Sequence, residues 1–165
     1  MSAEERRQVI TLPPTIAKLT AVERLGLYGS NLVRIPPEIG AMTSLTTFEP
    51  YTSYRLHWFP YEITRSTRLR SSTVSTRALY GNYKDRPPFP AASDDAEARS
   101  CSVCDGPITS LHQVWITRPV ATDHLPLLVN ACSTDCVSAL PPPSKGYVPA
   151  PHTGGPAVTQ PAAEW

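Results

Sequence analysis

Four cysteines occur in the chain, Cys101, Cys104, Cys132 and Cys136, in two close pairs with 27 residues between Cys104 and Cys132. Thiolates are soft ligands, and two such pairs can meet around one tetrahedral ion. Asp105-Gly106-Pro107 follows the first pair as a turn signal. A glycine there is expected to let the chain turn with its amides facing the sulfurs. Four thiolates leave no position open for water, so the ion would be structural and not catalytic. The expectation is one structural Zn2+ per chain. Iron suits the same ligands, and His112, His124 and His152 are alternative donors. A redox pair is a further alternative, but it wants a thioredoxin-like βαβ setting that this sequence lacks.

The residues around the cysteines say what holds them. His112–Thr117 and Leu125–Ala131 are β-prone and predict two strands of a hairpin, with 118–124 between them. Ser133 or Thr134 can cap a helix start, Asp135 suits the positive end of its dipole, and Cys136 then lies in the first turn. Knuckle, hairpin and a helix carrying the last ligands resemble the treble-clef group of zinc fingers. The CxxxC spacing departs from the usual CxxC of that group, although residues four apart still share a helix face.

Other chemistry is absent from the pattern. There is no Gly-rich phosphate loop, no nucleophile elbow and no paired-carboxylate cluster. His57, between Leu56 and Trp58, reads as a packing residue. No enzyme and no small-molecule substrate are expected.

Upstream, Leu12-Pro13-Pro14-Thr15-Ile16 repeats as Ile35-Pro36-Pro37-Glu38-Ile39 after 23 residues and as Phe59-Pro60-Tyr61-Glu62-Ile63 after a further 24. Leu19 pairs with Met42, Val22 with Leu45 and Leu69, and Leu25 with Phe48. Self-similarity at this period marks a solenoid. The stretch from Val9 to about Phe59, above all Val22, Leu25, Leu27, Ser30, Leu32, Ile35 and Pro36, resembles the leucine-rich repeats. Ser30 stands where that family usually has asparagine. The resemblance implies a short strand at Glu23–Leu27 on a concave face and a helical turn at Pro37–Met42 on the convex side. The third copy is degraded: Ser72 replaces an apolar residue, Arg77 falls on the asparagine position and Asn82 on the aliphatic one. A second module packing against that unit would account for this.

The resemblance also implies a protein-binding face, since that family mostly binds proteins. The outward positions are Arg24, Gly26 and Tyr28, then Thr47, Glu49 and Tyr51, then Ser71, Thr73 and Ser75. Tyr28 and Tyr51 are equivalent and are expected side by side. Tyrosine and arginine dominate interface energetics. Arg65, Arg68, Arg70 and Arg77 form a basic run without interleaved aromatics. It reads as a solvated face or as a contact for an anionic partner, including a nucleic acid backbone.

Composition sets the frame. A net charge of +1 gives no global field toward nucleic acid or membrane. No apolar run approaches a membrane span, and Met1–Arg7 leads into no signal-peptide core. A cytoplasmic, reducing setting is expected, where clustered cysteines favour metal. Nineteen prolines, more than twice the usual share, point to extended segments. The expected organisation is a leucine-rich-repeat module at 1–82, a linker at 83–99, a four-cysteine finger at 100–140 and a disordered proline-rich tail at 141–165, with polyproline-type docking as the alternative for the tail. The fold class is thus an α/β solenoid fragment plus a small α+β zinc module. The expected function is a protein-interaction adaptor or small subunit. A nucleic-acid-associated zinc protein is the first alternative, and a recognition subunit of a ligase or toxin-type complex the second.

Overall fold

The computed structural model describes residues 2–82, 87–93 and 98–161. Parts of the expected linker (83–86, 94–97) and the last residues of the expected tail (162–165) lie outside them.

The proline motifs set the local structure of the first half. Pro13, Pro36 and Pro60 are extended, with φ of −71°, −75° and −71° and ψ of 152°, 155° and 143°. Each delivers the chain into a short 3-10 turn: Pro14–Lys18, Pro37–Ala41 and Tyr61–Arg65. A proline at the start of such a turn has the right φ and needs no N–H partner. Each turn buries one isoleucine, Ile16, Ile39 and Ile63.

After each turn comes a very short strand: β1 (Arg24–Gly26), β2 (Thr47–Glu49) and, further on, β4 (Ser71–Ser72). They pair in parallel in the order β1-β2-β4, with Arg24 beside Thr47 and Thr47 beside Ser71. The period read in the sequence is therefore the spacing of a real parallel ladder. A serine ladder joins the turns: the Ser30 and Ser53 hydroxyls are 2.7 Å apart, Ser53 Oγ donates to Leu27 O at 2.9 Å, and Thr52 N–H donates to Ser75 Oγ at 2.8 Å. Ser75 continues the ladder where Arg77 was expected. It is buried, so it is not an outward residue of the strand face.

A second sheet holds β3 (Phe59–Pro60), β6 (Asp123–Ala131) and β5 (His112–Val120) in the order β3-β6-β5. β5 and β6 form a hairpin longer than expected, because 118–120 and 123–124 belong to the strands and the turn is Ala121-Thr122, with Ala121 at φ 53°. Pro119 and Pro126 both lie within these strands. Register explains why they fit. Trp115 exchanges both backbone bonds with His152, so its N–H and C=O face away from β6. Antiparallel pairs alternate between bonded and non-bonded. Pro126 (beside Thr117) and Pro119 (beside His124) share the non-bonded phase of Trp115, where the hairpin requires no N–H.

One apolar cluster runs through both halves, from Ile16 through Phe48 and Phe59 to Leu127, Val129 and Ala131. A smaller aromatic cluster gathers Phe89, Trp115 and Val148 with Trp58 and Tyr80. Here the expectation of a disordered tail is corrected. Ser144 N–H donates to Thr117 O at 2.8 Å, Trp115 and His152 bridge, Val148 is buried, and Tyr147 stacks on His124 at 5.5 Å. The outer edge of β5 needs backbone partners, and an extended proline-rich segment supplies them without demanding many in return. Trp115 Nε1–H donates to Pro90 O at 3.0 Å and Gly155 N–H to Phe89 O at 3.0 Å, so 87–93 joins the same layer.

Candidate metal centre

The four cysteine sulfurs all lie within 4.8 Å of one another, with Cys104–Cys132 and Cys132–Cys136 both at 3.6 Å. No disulfide joins them. Tetrahedral bonds of about 2.3 Å place sulfurs roughly 3.8 Å apart, so this set fits one metal ion. None of His112, His124 or His152 joins the cluster. His112 opens β5, His124 hydrogen-bonds Ser144 Oγ at 2.8 Å, and His152 packs on Phe89 with ring centres 4.6 Å apart.

Local chain geometry builds the site. Cys101 is fully buried, and the knuckle closes through Cys101 N–H to Gly106 O at 2.8 Å and Asp105 N–H to Cys101 O at 3.0 Å. The left-handed residue is Asp105, at φ 62°, and not Gly106 as expected. Aspartate tolerates that region. Gly106 serves by its size, since a Cβ there would stand 3.3 Å from Cys104 Sγ. At the other pair, Ser133 Oγ accepts from Cys136 N–H at 3.1 Å and caps α2 (Thr134–Ser138), which orients Cys136 toward Cys132. The remaining helix, α1 (Ala3–Gln8), is far away in sequence at the other end of the chain.

The electrostatics suit a cation. Burial opposes a thiolate at Cys101, but the backbone N–H groups of Cys104, Val103 and Cys132 outweigh it and bring the thiol down to about 6. Cys132 is pushed up to about 12, chiefly through its sulfur contacts with Cys104, Cys136 and Cys101. Cys101 therefore favours the thiolate and Cys132 the thiol, whose proton its sulfur contacts retain. A bound cation would favour every thiolate at once.

The knuckle is fastened to both halves of the fold. Ser102 N–H donates to Asn130 O at 2.8 Å, and Ser102 Oγ accepts from Asn130 N–H at 3.0 Å. From the turn at 61–65, Arg65 Nη2 donates to Ser102 O and meets Asp105 Oδ1, both at 2.8 Å. Glu62 lies beside this pair, buried, with Oε2 lacking a hydrogen-bond partner among the described residues. Desolvation raises its carboxyl above the ordinary range, and a hydrogen bond with Ser102 opposes that rise. Arg65, singled out with Arg68, Arg70 and Arg77 as an anion contact, is thus spent inside the fold. The other three are exposed.

Ser72 shows what its odd place in the repeat means. It sits beside Phe48, where an apolar residue was expected, and its hydroxyl meets Val120 O at 3.1 Å, Thr122 Oγ1 at 3.3 Å and Asp123 Oδ2 at 2.7 Å. The hairpin tip docks there. The signal was legible as a polar residue in an apolar series; its partner was not.

The strand face carries Arg24, Thr47, Glu49, Ser71 and Thr73, with Arg24 Nε paired to Glu49 at 2.7 Å. Tyr28 and Tyr51 stand 5.7 Å apart, centre to centre, and are 71% and 43% exposed. His57 is a packing residue: Nδ1 bonds Ala78 O at 2.6 Å and the ring lies on Tyr80. The aromatic layer around Trp115 escaped the sequence reading, since its members are scattered from Trp58 to Val158.

No protein-family model matches the chain, and neither a curated protein nor a solved structure matches it. No helix among the described residues is long and apolar enough to cross a membrane.

Proposed function

We propose that this chain is a non-enzymatic interaction module, built as a short leucine-rich-repeat-like array braced by a structural zinc site. Its partner is another protein, met by the strand face through Arg24, Tyr28, Thr47, Glu49, Tyr51, Ser71 and Thr73. The observation that carries this reading is the pair Tyr28 and Tyr51, two large rings held side by side in the open. Both rings stand in the turns just after β1 and β2, and large aromatic side chains with few rotatable bonds suit an interface anchor. The closed four-thiolate set suits a structural zinc ion, and reduced thiolates suit a cytoplasmic setting.

The test is a pull-down from the native host with the wild-type chain and with Tyr28→Ala/Tyr51→Ala. A partner lost in the double variant and retained at high salt supports the proposal. A partner that resists the double variant, or none at all, defeats it. Binding that falls steeply with salt and requires Arg68, Arg70 and Arg77 would favour the nucleic-acid alternative. A captured ligase or toxin component would place the module as a recognition subunit. Metal analysis should return about one zinc per chain; iron, or less than half an equivalent, defeats the zinc assignment.

A further inference from the structure

Two imidazoles hold the segment 144–158 to the hairpin, and they face opposite kinds of partner. His124, on β6, bonds Ser144 Oγ at 2.8 Å and stacks on Tyr147. A hydroxyl can donate or accept, so that contact survives whether or not the ring is charged. His152, in the segment itself, accepts at Nδ1 from Gly154 N–H, 3.1 Å away. A backbone N–H can only donate, so this ring is neutral with its proton on Nε2. That Nε2 is buried and has no hydrogen-bond partner among the described residues. Phe89 stands nearly perpendicular to the ring, centres 4.6 Å apart.

Protonation of His152 therefore meets two obstacles. A hydrogen on Nδ1 would point at the Gly154 N–H, donor against donor. The new charge would also lie in an aromatic layer without a counter-ion. That layer is Phe89 from 87–93, Trp115 from β5 and, against both, Tyr80. Burial pushes the Tyr80 hydroxyl above its ordinary value, so it stays neutral. The nearest titratable side chains on β5 are His112 and Arg118, three residues to either side of Trp115, and Arg118 Nη1 donates to Pro142 O. On the tail the nearest cation is Lys145, which is exposed. Burial alone holds the His152 imidazole below its usual value.

His152 also sits where the segment is tied down. Trp115 N–H donates to His152 O at 2.7 Å, His152 N–H donates to Trp115 O at 3.1 Å, and Ala92 N–H donates to Thr153 O at 2.7 Å. Pro149, Pro151 and Pro156 around it have no N–H to give.

We propose that His152 is an acid-sensitive latch: neutral, it locks the proline-rich segment onto the outer edge of β5, and protonated, it lets that segment lift while the hairpin stays paired. Lifting bares the β5 edge and the face of Trp115. The released ring titrates at the ordinary histidine value, about 6.5, and the docked ring below it. Docking is thus at full strength above that value and weakens as pH falls through it, several-fold by pH 5.5 with a ceiling of about tenfold.

Hydrogen exchange followed by NMR, on the full-length chain kept metal-loaded at pH 7.5 and 5.5 and corrected for intrinsic rates, reads this opening. The Trp115 amide should open several-fold more often at pH 5.5, up to about tenfold. The Ile116 amide, turned toward β6 by alternation, should not follow it. His152→Asn keeps an acceptor for Gly154 N–H and takes up no proton, so its Trp115 amide should show no such rise. If that variant fails to fold, nitrogen-15 NMR of the wild-type imidazole decides, with the Nε2–H tautomer and a midpoint below about 6.5 expected. A Trp115 opening that ignores pH, one that rises equally at Ile116 or in His152→Asn, or an Nδ1–H tautomer overturns the proposal.

Discussion

Arg65→Gln separates an arginine that builds the fold from one that waits for a ligand. The wild-type guanidinium donates to Ser102 O, whose residue is 2% exposed, and meets Asp105, whose side chain is 70% exposed. A hydrogen bond from a charged donor to a buried carbonyl contributes about 1.5 to 3 kcal/mol, and its loss strands the acceptor. The exposed ion pair adds under about 1 kcal/mol. The loss is therefore about 2 to 3 kcal/mol, which for a chain of this size lowers the thermal midpoint by roughly 4 to 12 °C. The assay is thermal unfolding of the metal-loaded protein by circular dichroism, run beside Arg68→Gln. Arg68 is exposed, so its change should stay within about 0.5 kcal/mol. If Arg65→Gln unfolds no earlier than Arg68→Gln, the staple between turn and knuckle is refuted and Arg65 returns to the solvated basic face.

Glu62 predicts a pH dependence. Its folded carboxyl titrates above the ordinary value because burial disfavours the charge. Its stabilising share is then complete below the ordinary carboxylate range and is lost as pH rises through the raised value; comparing urea midpoints of wild type and Glu62→Gln across that window should show the wild type alone declining with this component. Ser72→Leu restores the repeat's apolar residue but strands the hairpin tip, and should lower stability by about 1 to 3 kcal/mol in urea unfolding. Gly154→Ala should detach the tail from the Trp115 layer: Gly154 has φ +72°, and a Cβ there would lie 2.0 Å from Pro90 O, so tryptophan fluorescence should shift to the red. Chelation should unfold the segment 100–140 before the first half of the chain, read by hydrogen exchange.

What could be read from residues alone was whatever depends on local spacing. Three proline motifs at 23 and 24 residues carried the turns, the strands and even the approach of Tyr28 to Tyr51, because in a repeat the spacing along the chain is the spacing in space. Two close cysteine pairs and a capping serine carried the four-cysteine cluster for a similar reason: each pair is a local grip, and the hairpin between them returns the chain to its start. Tertiary structure decided the rest. Composition judged 141–165 too poor in apolar residues to order, yet the described part, 141–161, had no need of its own core, since the outer edge of β5 held unpaired backbone groups and Trp115 offered a face to cover. The hairpin was legible but its extension through 118–120 and 123–124 was not, because only pairing phase says whether the N–H missing at Pro119 is required. Arg65 and Arg68 are indistinguishable in sequence, and the proximity of Ser102, 37 residues on, separates them. The cysteine cluster itself gained an anchor this way: spacing foretold four sulfurs around one ion, and the folded chain tied that knuckle to the third repeat through Glu62 and Arg65, contacts between distant residues that no local pattern encodes.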